Sequence, residues 1–282
     1  MRTPLSRSSL GRSQRGFALL IVLWSIVLLA LLATQITAAG RSELQLAANL
    51  REAASAEAAA DGGVFMAVFH VLDGPAARWD ADDSPHETRQ GRFRLRVRIE
   101  DENGKINPNT APQDLLAALL SAEGADPATS QSIAHAIVEW RFPGDAEAKA
   151  QQYRSAGRTV APDGLPFRTV AGLGNVLGMT PDLLARVAPH LSVYADSAVE
   201  YAHADPVVQS VLRQAAGGPP PASPGPPPPP TVATIISEAA DAQGGRFVRR
   251  AVIAFAPDQD GRLFRTLTWE AGPVETAPSR SR

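Results

Sequence analysis

The longest apolar stretch in the chain runs from Phe17 to Ala33, FALLIVLWSIVLLALLA, interrupted only by Ser25. Thr34, Gln35 and Ile36 extend it towards the ~20 residues a membrane-crossing helix needs. A soluble helix of this length would show a polar stripe, and none is present. Arg2, Arg7, Arg12 and Arg15 precede the stretch with no acid among them, while Arg41 and Glu43 follow it. That asymmetry predicts a single-pass membrane chain, its N-terminus on the cytoplasmic side and its bulk on the far side.

The helical pattern does not stop at the apolar run. Leu44, Leu46, Ala47, Leu50, Ala54, Ala58, Val64, Val68 and Val71 lie in an Ala-rich stretch, with Asp73-Gly74-Pro75 as its stop. From Phe17 to Leu72 one helix would measure roughly 80 Å at ~1.5 Å per residue. After a polar loop (Asp80, Asp82, Asp83, Ser84, Pro85), Gly91 to Asp101 alternates strictly. Arg92, Arg94, Arg96 and Arg98 take one face, Phe93, Leu95, Val97 and Ile99 the other. This predicts a half-buried strand with a solvated arginine row. DENGKINPNT, Asp101 to Thr110, is a turn leading into a helix capped by Asn109 or Thr110, with Pro112 in its first turn and Leu115, Leu116, Leu119 and Leu120 inward. Helical patterns follow at 127–140, 167–177, 181–187 and 206–214. GGPPPASPGPPPPP, Gly217 to Pro230, reads as a polyproline-II spacer. Strand-like runs occupy 231–237, 246–256 and 262–270, the last two joined by the turn Pro257 to Gly261.

Composition narrows the chemistry. Among 282 residues, 27 basic and 29 acidic side chains leave a net charge of −2, which disfavours polyanion binding by the chain as a whole. The absence of cysteine excludes disulfides, thiolate nucleophiles and Cys-based metal sites. His70, His86, His135, His190 and His203 are scattered without an HExxH pair, and GxSxG is missing, so no catalytic residue is expected. Gly172, Gly174 and Gly178 follow no strand, which makes them a weak nucleotide signal.

Two fates of the N-terminal segment fit these observations. A secretory signal would be cut after the apolar run, near Thr37-Ala38-Ala39. A prepilin leader would be cut before it, between Gly16 and Phe17. The Gly-Phe boundary, the length of the run and the helical continuation favour the second. RGFALLIVLW followed by the long Ala-rich helix resembles the leader and stem of type IV pilins and type II secretion pseudopilins. GKINPNTAP (104–112), IVEWR (137–141), FRTVAGLGNVLGMTPDLLARVAPHLSVY (167–194) and the terminal LFRTLTW extend the resemblance to the minor pseudopilin K family.

The resemblance implies an α+β pseudopilin fold, a long N-terminal stem helix packed on an antiparallel sheet with a large inserted helical domain of helix–hairpin–helix-like character. The expected organisation is a leader at 1–16, transmembrane and stem helix at 17–72, first part of the β-domain at 73–101, helical insert at 102–216, linker at 217–230 and a closing β-meander at 231–282. It further implies cleavage between Gly16 and Phe17 by the prepilin peptidase and N-methylation of Phe17. Most pilins carry Glu at mature position five, where Ile21 stands. A buried carboxylate persists only with a partner, so Ile21 suggests a tip subunit with nothing above it. Implied partners are the minor pseudopilins I, J and H, the major pseudopilin G and the inner-membrane assembly platform. Relatives can hold Ca²⁺ around an Asp-Trp-x-Asp passage. Here that passage is Glu139-Trp140-Arg141-Phe142, leaving Glu139, Asp145 and Glu147 as weak candidate ligands beside the reading of a solvated acidic loop. A type IV pilus minor pilin is one alternative. The other is a membrane-anchored periplasmic DNA-binding module, since INPNTAP and Ala171-Gly172-Leu173-Gly174 resemble helix–hairpin–helix glycine turns. Arg168 is the only base beside those glycines, which argues against nucleic acid.

Overall fold

The computed structural model describes residues 13–73, 77–218, 229–255 and 261–273. The leader up to residue 12, the Gly74-Pro75 stop, most of the proline-rich spacer, the turn at 257–260 with Asp258 and Asp260, and the tail from 274 lie outside the described residues. The chain divides into two compact units, one ending at Ser55 and one beginning at Ala56.

The first unit is the N-terminal part of helix α1, Ser13–Leu72. Its described apolar side chains, from Phe17 through Leu32, are exposed. Ser25 Oγ donates to the Ile21 carbonyl at 2.8 Å, which satisfies its hydroxyl inside an otherwise apolar helix. Among the described residues no helix is long and apolar enough to cross a membrane.

The second unit opens with the rest of α1. Ala56, Ala59, Ala60, Val64, Ala67, Val68 and Val71 recur at helical spacing and are buried. They lie on one face of a five-stranded antiparallel sheet of β1 (His86–Gln90), β2 (Phe93–Asp101), β3 (Val232–Ala240), β4 (Arg246–Ala254) and β5 (Arg265–Ala271) in sequential order. The strict alternation of β2 holds: Phe93, Leu95, Val97 and Ile99 are buried, with Arg94 and Arg96 exposed behind them. Gly62 and Gly63 let helix and sheet approach closely. A Cβ at Gly62 would sit 2.8 Å from the Gln90 side chain, and one at Gly63 would collide with Ser237 Oγ. A bulge between Val252 and Ile253 shifts the β4–β5 register.

Between β2 and β3 the chain builds a second core from α2 (Gln113–Ala122), α3 (Pro127–Arg141), α4 (Ala146–Ser155), α5 (Pro181–Val187) and α6 (Pro206–Ala216). Ile106, Leu116, Leu119, Ile133, Ile137, Leu173 and Val208 fill it, with Trp140 packed 5.4 Å from Phe167 and 5.8 Å from Tyr153 between ring centres. Four starts follow the capping rule. Asp126, Asp145, Thr180 and Asp205 each accept backbone amides of the first turn.

Several expectations are corrected. Neither Asn109 nor Thr110 caps α2; Pro112 occupies the cap without a side-chain bond. Asn109 instead clamps Phe167, donating from Nδ2 to its carbonyl (3.0 Å) and accepting its amide at Oδ1 (2.7 Å). The pattern at 167–177 yields only a 3-10 turn, Val170–Asn175. Strand β1 and helix α4 were not anticipated. HETRQ is wholly polar because its strand is an edge, and α4 buries only Tyr153.

The glycine contact generates a test. Gly63→Ala should lower stability by ~1–3 kcal/mol through overpacking, and adding Ser237→Ala should recover most of that loss. Urea midpoints of the three proteins would measure it; unchanged stability in the single variant would contradict this packing.

Candidate functional site: a polar seam and its flanking surfaces

The chain leaves the sheet at Asp101 and returns at Thr231, and the residues at this crossing are polar and buried. Asp101, last in β2, accepts the Asn103 amide at 2.8 Å through Oδ1 and pairs through Oδ2 with His203 Nδ1. Glu102 accepts from Thr234 Oγ1 and stands 3.3 Å from Lys105 Nζ, which also reaches Glu100 at 2.9 Å. Asn103 donates from Nδ2 to Thr231 Oγ1 (2.6 Å) and accepts the Asp196 amide at Oδ1 (3.2 Å). Asn107 donates to the Ala195 carbonyl at 2.6 Å. Gly104 is pressed against the His203 carbonyl so closely that a Cβ would collide with it. The motif ENGKIN is therefore the seat of the insert on the sheet. The buried side chains of Asp101, Glu102, Asn103, Lys105 and Asn107 each have a partner there, as burial demands.

Two histidines serve this seam. His203 has its pKa raised by the hydrogen bond to Asp101; burial opposes the rise, and the charges of Asp101 and Glu200 add to it. His190 stands between Asp205 Oδ2 (2.7 Å) and Glu123 Oε1 (3.3 Å), joining the α6 cap to the end of α2. Sequence spacing signals neither pair, because the partners lie far apart in the chain.

A second constellation fastens α1 to the sheet. Arg249 on β4, only 7% exposed, donates from Nε to Asp61 (2.6 Å) and from Nη2 to Glu57 (2.5 Å). Its guanidinium lies 4.9 Å from the Phe247 ring centre and 5.2 Å from that of Trp269. Burial alone would lower its pKa, but the hydrogen bonds it donates to Asp61 and Glu57 hold it above the ordinary arginine value. At the far end of α1, Trp79 stacks between His70 (4.3 Å) and His86 (4.1 Å). Burial lowers the His86 pKa, with Asp82 opposing.

Surface features complete the picture. Phe65 (52% exposed), Phe69 (65%) and Leu72 follow one another along α1 at helical spacing, the Phe65 ring 5.5 Å from that of Trp269 on β5. On the insert, Phe142 is 74% exposed.

The residues singled out from sequence are placed as follows. Gly16 and Phe17 lie within α1, and the exposed Ile21 gives its carbonyl to Ser25. Glu139 pairs with Lys149 Nζ at 2.6 Å and lies 3.3 Å from His135. Asp145 spends one carboxylate oxygen capping the amides of Glu147 and Ala148. Among the described residues no three His, Asp or Glu side chains gather as a metal site. The Ala171–Gly174 turn is closed by Thr169, which accepts the Gly172 amide at 3.3 Å, so that amide is not presented to a phosphate.

The His203–Asp101 pair makes the seam pH-sensitive in a defined direction. A raised folded-state pKa contributes stability fully below the unfolded value of ~6.5 and loses it as pH climbs through the folded value. Urea midpoints taken from pH 6 upward should fall more steeply in the parent than in His203→Gln. Parallel curves would remove His203 from this role.

Residues 91–196 match the family model for the type II secretion system, protein K. The fold is similar to a chain in the crystal structure of the GspK-GspI-GspJ complex from enterotoxigenic Escherichia coli, with a TM-score of 0.55 at 15% identity, over 83% of this chain and 99% of that one. No curated protein matches the chain. The matched segment contains β2, the ENGKIN seat and the insert through α5, while the seam's partners His203, Thr231 and Thr234 lie beyond it.

Proposed function

We propose that the chain acts as the tip subunit of the periplasmic pseudopilus, a minor pseudopilin role in protein secretion that requires assembly and no catalytic step. The observation that carries the reading is the arrangement around β2. A sheet of pseudopilin type, backed by the end of α1, is interrupted after its second strand by a helical block seated on buried polar bonds. Such a block adds bulk at one end of the sheet without disturbing the register of its strands. On this proposal neighbours pack along the stem and the insert obstructs addition of a further subunit.

On this reading Phe17 to Ala33 is the membrane anchor, the prepilin peptidase cuts after Gly16, and Phe17 becomes the methylated terminus. Ile21 replaces the carboxylate that a subunit inside a filament would direct at the one above. The relative named above was crystallised with GspI and GspJ. By that analogy the first partners are minor pseudopilins I and J, then H, the major pseudopilin G and the inner-membrane platform. The proposed boundaries are those of the sequence reading: stem to residue 72, insert at 102–216, linker at 217–230. The exposed Phe65, Phe69 and Leu72 suit contact with a neighbouring stem. Calcium, if held by the insert, would require Glu139 to give up Lys149 and Asp145 to give up its cap.

The experiment is direct. Co-expressed with its peptidase, the parent precursor should lose its first sixteen residues, and Gly16→Ala should remain full length on N-terminal sequencing. Trimming of the variant at the same bond, or a mature N-terminus near residue 40, would overturn the pseudopilin assignment of the anchor.

A further inference from the structure

The sheet face turned away from α1 has an uneven distribution of charge. Register places Arg94, Arg96 and Arg98 of β2, Glu238 of β3 and Arg246 and Arg250 of β4 on it. Arg89 of β1 lies directly opposite Arg94, a like-charge pair that costs stability across a strand pair. Glu238 is engaged by Arg246 at 2.7 Å, and Arg98 faces Asp83 at 3.7 Å. Arg96 and Arg250 have no carboxylate within ion-pair distance among the described residues, although Glu87 and Glu270 stand opposite them in register.

At the centre of this face is a hollow of about 100 Å³, rimmed by Arg96, Arg98, Arg250 and Glu238 and floored by Ile236 and Val248. Gly272 forms its remaining wall, and a Cβ there would stand 2.7 Å from Val248 Cγ1, so a side chain at this position would crowd the hollow. Arg250 also borders a larger, mainly apolar groove of about 810 Å³ that runs beneath the insert past Leu184, Val193 and Tyr194. Tyr194 lines this groove with Glu100, Glu102 and Glu270 at its edges, and burial raises the Tyr194 pKa, with Glu270 and Glu102 adding to the rise.

We propose that this hollow and groove together form a docking surface for an acidic segment of another protein, its carboxylate held by Arg96, Arg98 and Arg250 and its adjoining apolar residues lying in the groove. The charge pattern selects this occupant. Guanidinium groups bind carboxylates in paired hydrogen bonds, and the hollow admits one carboxylate. An extended polyanion such as a nucleic acid or a lipid headgroup surface would reach past the hollow to Glu87, Glu238 and Glu270, whereas a single carboxylate need not. The proposal is independent of where the leader is cut and of the tip position.

The test uses the full-length chain in zwitterionic detergent and a fluorescein-labelled peptide of alternating Glu and Leu, read by anisotropy. The expected result is binding that weakens with salt, is absent for the Gln-Leu counterpart, and falls ~5–10-fold in each of Arg96→Gln and Arg250→Gln. Arg213→Gln, an exposed change on α6, should bind as the parent does. Circular dichroism establishes that the variants are folded. Equal binding of the Gln-Leu peptide, no binding of the acidic one, or parental affinity in both variants would overturn the proposal. So would displacement of the peptide by inorganic phosphate or phosphatidylglycerol vesicles as effectively as by unlabelled peptide, since the surface would then be a general anion site.

Discussion

The cost of burying polar groups governs this structure more than any other constraint. To insert a helical block between two adjacent strands, the chain must leave the sheet and return to it within one small region. Both crossings bury backbone and side-chain dipoles that would each cost several kcal/mol unpaired. The sequence meets that demand with a short run of polar residues, Asp101 to Asn107, whose partners come from the return strand (Thr231, Thr234) and from the loop before α6 (Asp196, His203). Because the partners belong to three segments, the complete set of bonds forms only when all three are in place. That mutual dependence fixes the block on the sheet more firmly than an apolar patch of equal area, which tolerates sliding.

The opposite side of the sheet is governed by a different solution. Helix α1 approaches through small residues, Ala56, Ala59, Ala60, Gly63 and Ala67, so dispersion between close surfaces replaces interdigitation of large side chains. A flat contact of this kind resists rotation poorly. Arg249 supplies the missing direction, holding Asp61 and Glu57 one helical turn apart through its planar fork and filling the space between Phe247 and Trp269. With the small-residue stripe committed to the sheet, the large side chains Phe65, Phe69 and Leu72 stay partly exposed, Phe65 resting its ring 5.5 Å from that of Trp269.

What was legible in the sequence follows from these two solutions. Strand β2 was readable because a half-buried strand must alternate. Helix α5 was readable at both ends because Thr180 and Pro181 start it and its apolar positions are periodic. Strand β1 was not, since an edge strand needs no apolar face, and α4 was not, since one buried tyrosine gives no periodicity. Asn109 illustrates the sharper failure. Local rules assign it to the cap of the next helix, whereas tertiary structure claims its amide for Phe167, a residue no local pattern connects to it. The polar seam failed to announce itself for the same reason. Asp101 and His203 are unremarkable in sequence and meet only when the insert closes.

The candidate chemistry sorts along that line as well. Acidic residues that read as metal ligands in one dimension turn out to be employed in structure: Glu139 on Lys149, Asp145 on the first turn of α4. A carboxylate that already satisfies a helix terminus or an ammonium must lose that bond before it can coordinate an ion, which lowers the net gain from binding. Arg96 and Arg250 stand in the reverse position. Arg96 belongs to the row expected to be solvated and Arg250 to no motif, yet both border a hollow lined by Ile236 and Val248, where water is a poor substitute for a carboxylate. In this protein the residues with work still available to them are those that neither core has used. They include the exposed Phe69 of α1 and the arginines on the sheet face turned away from that helix.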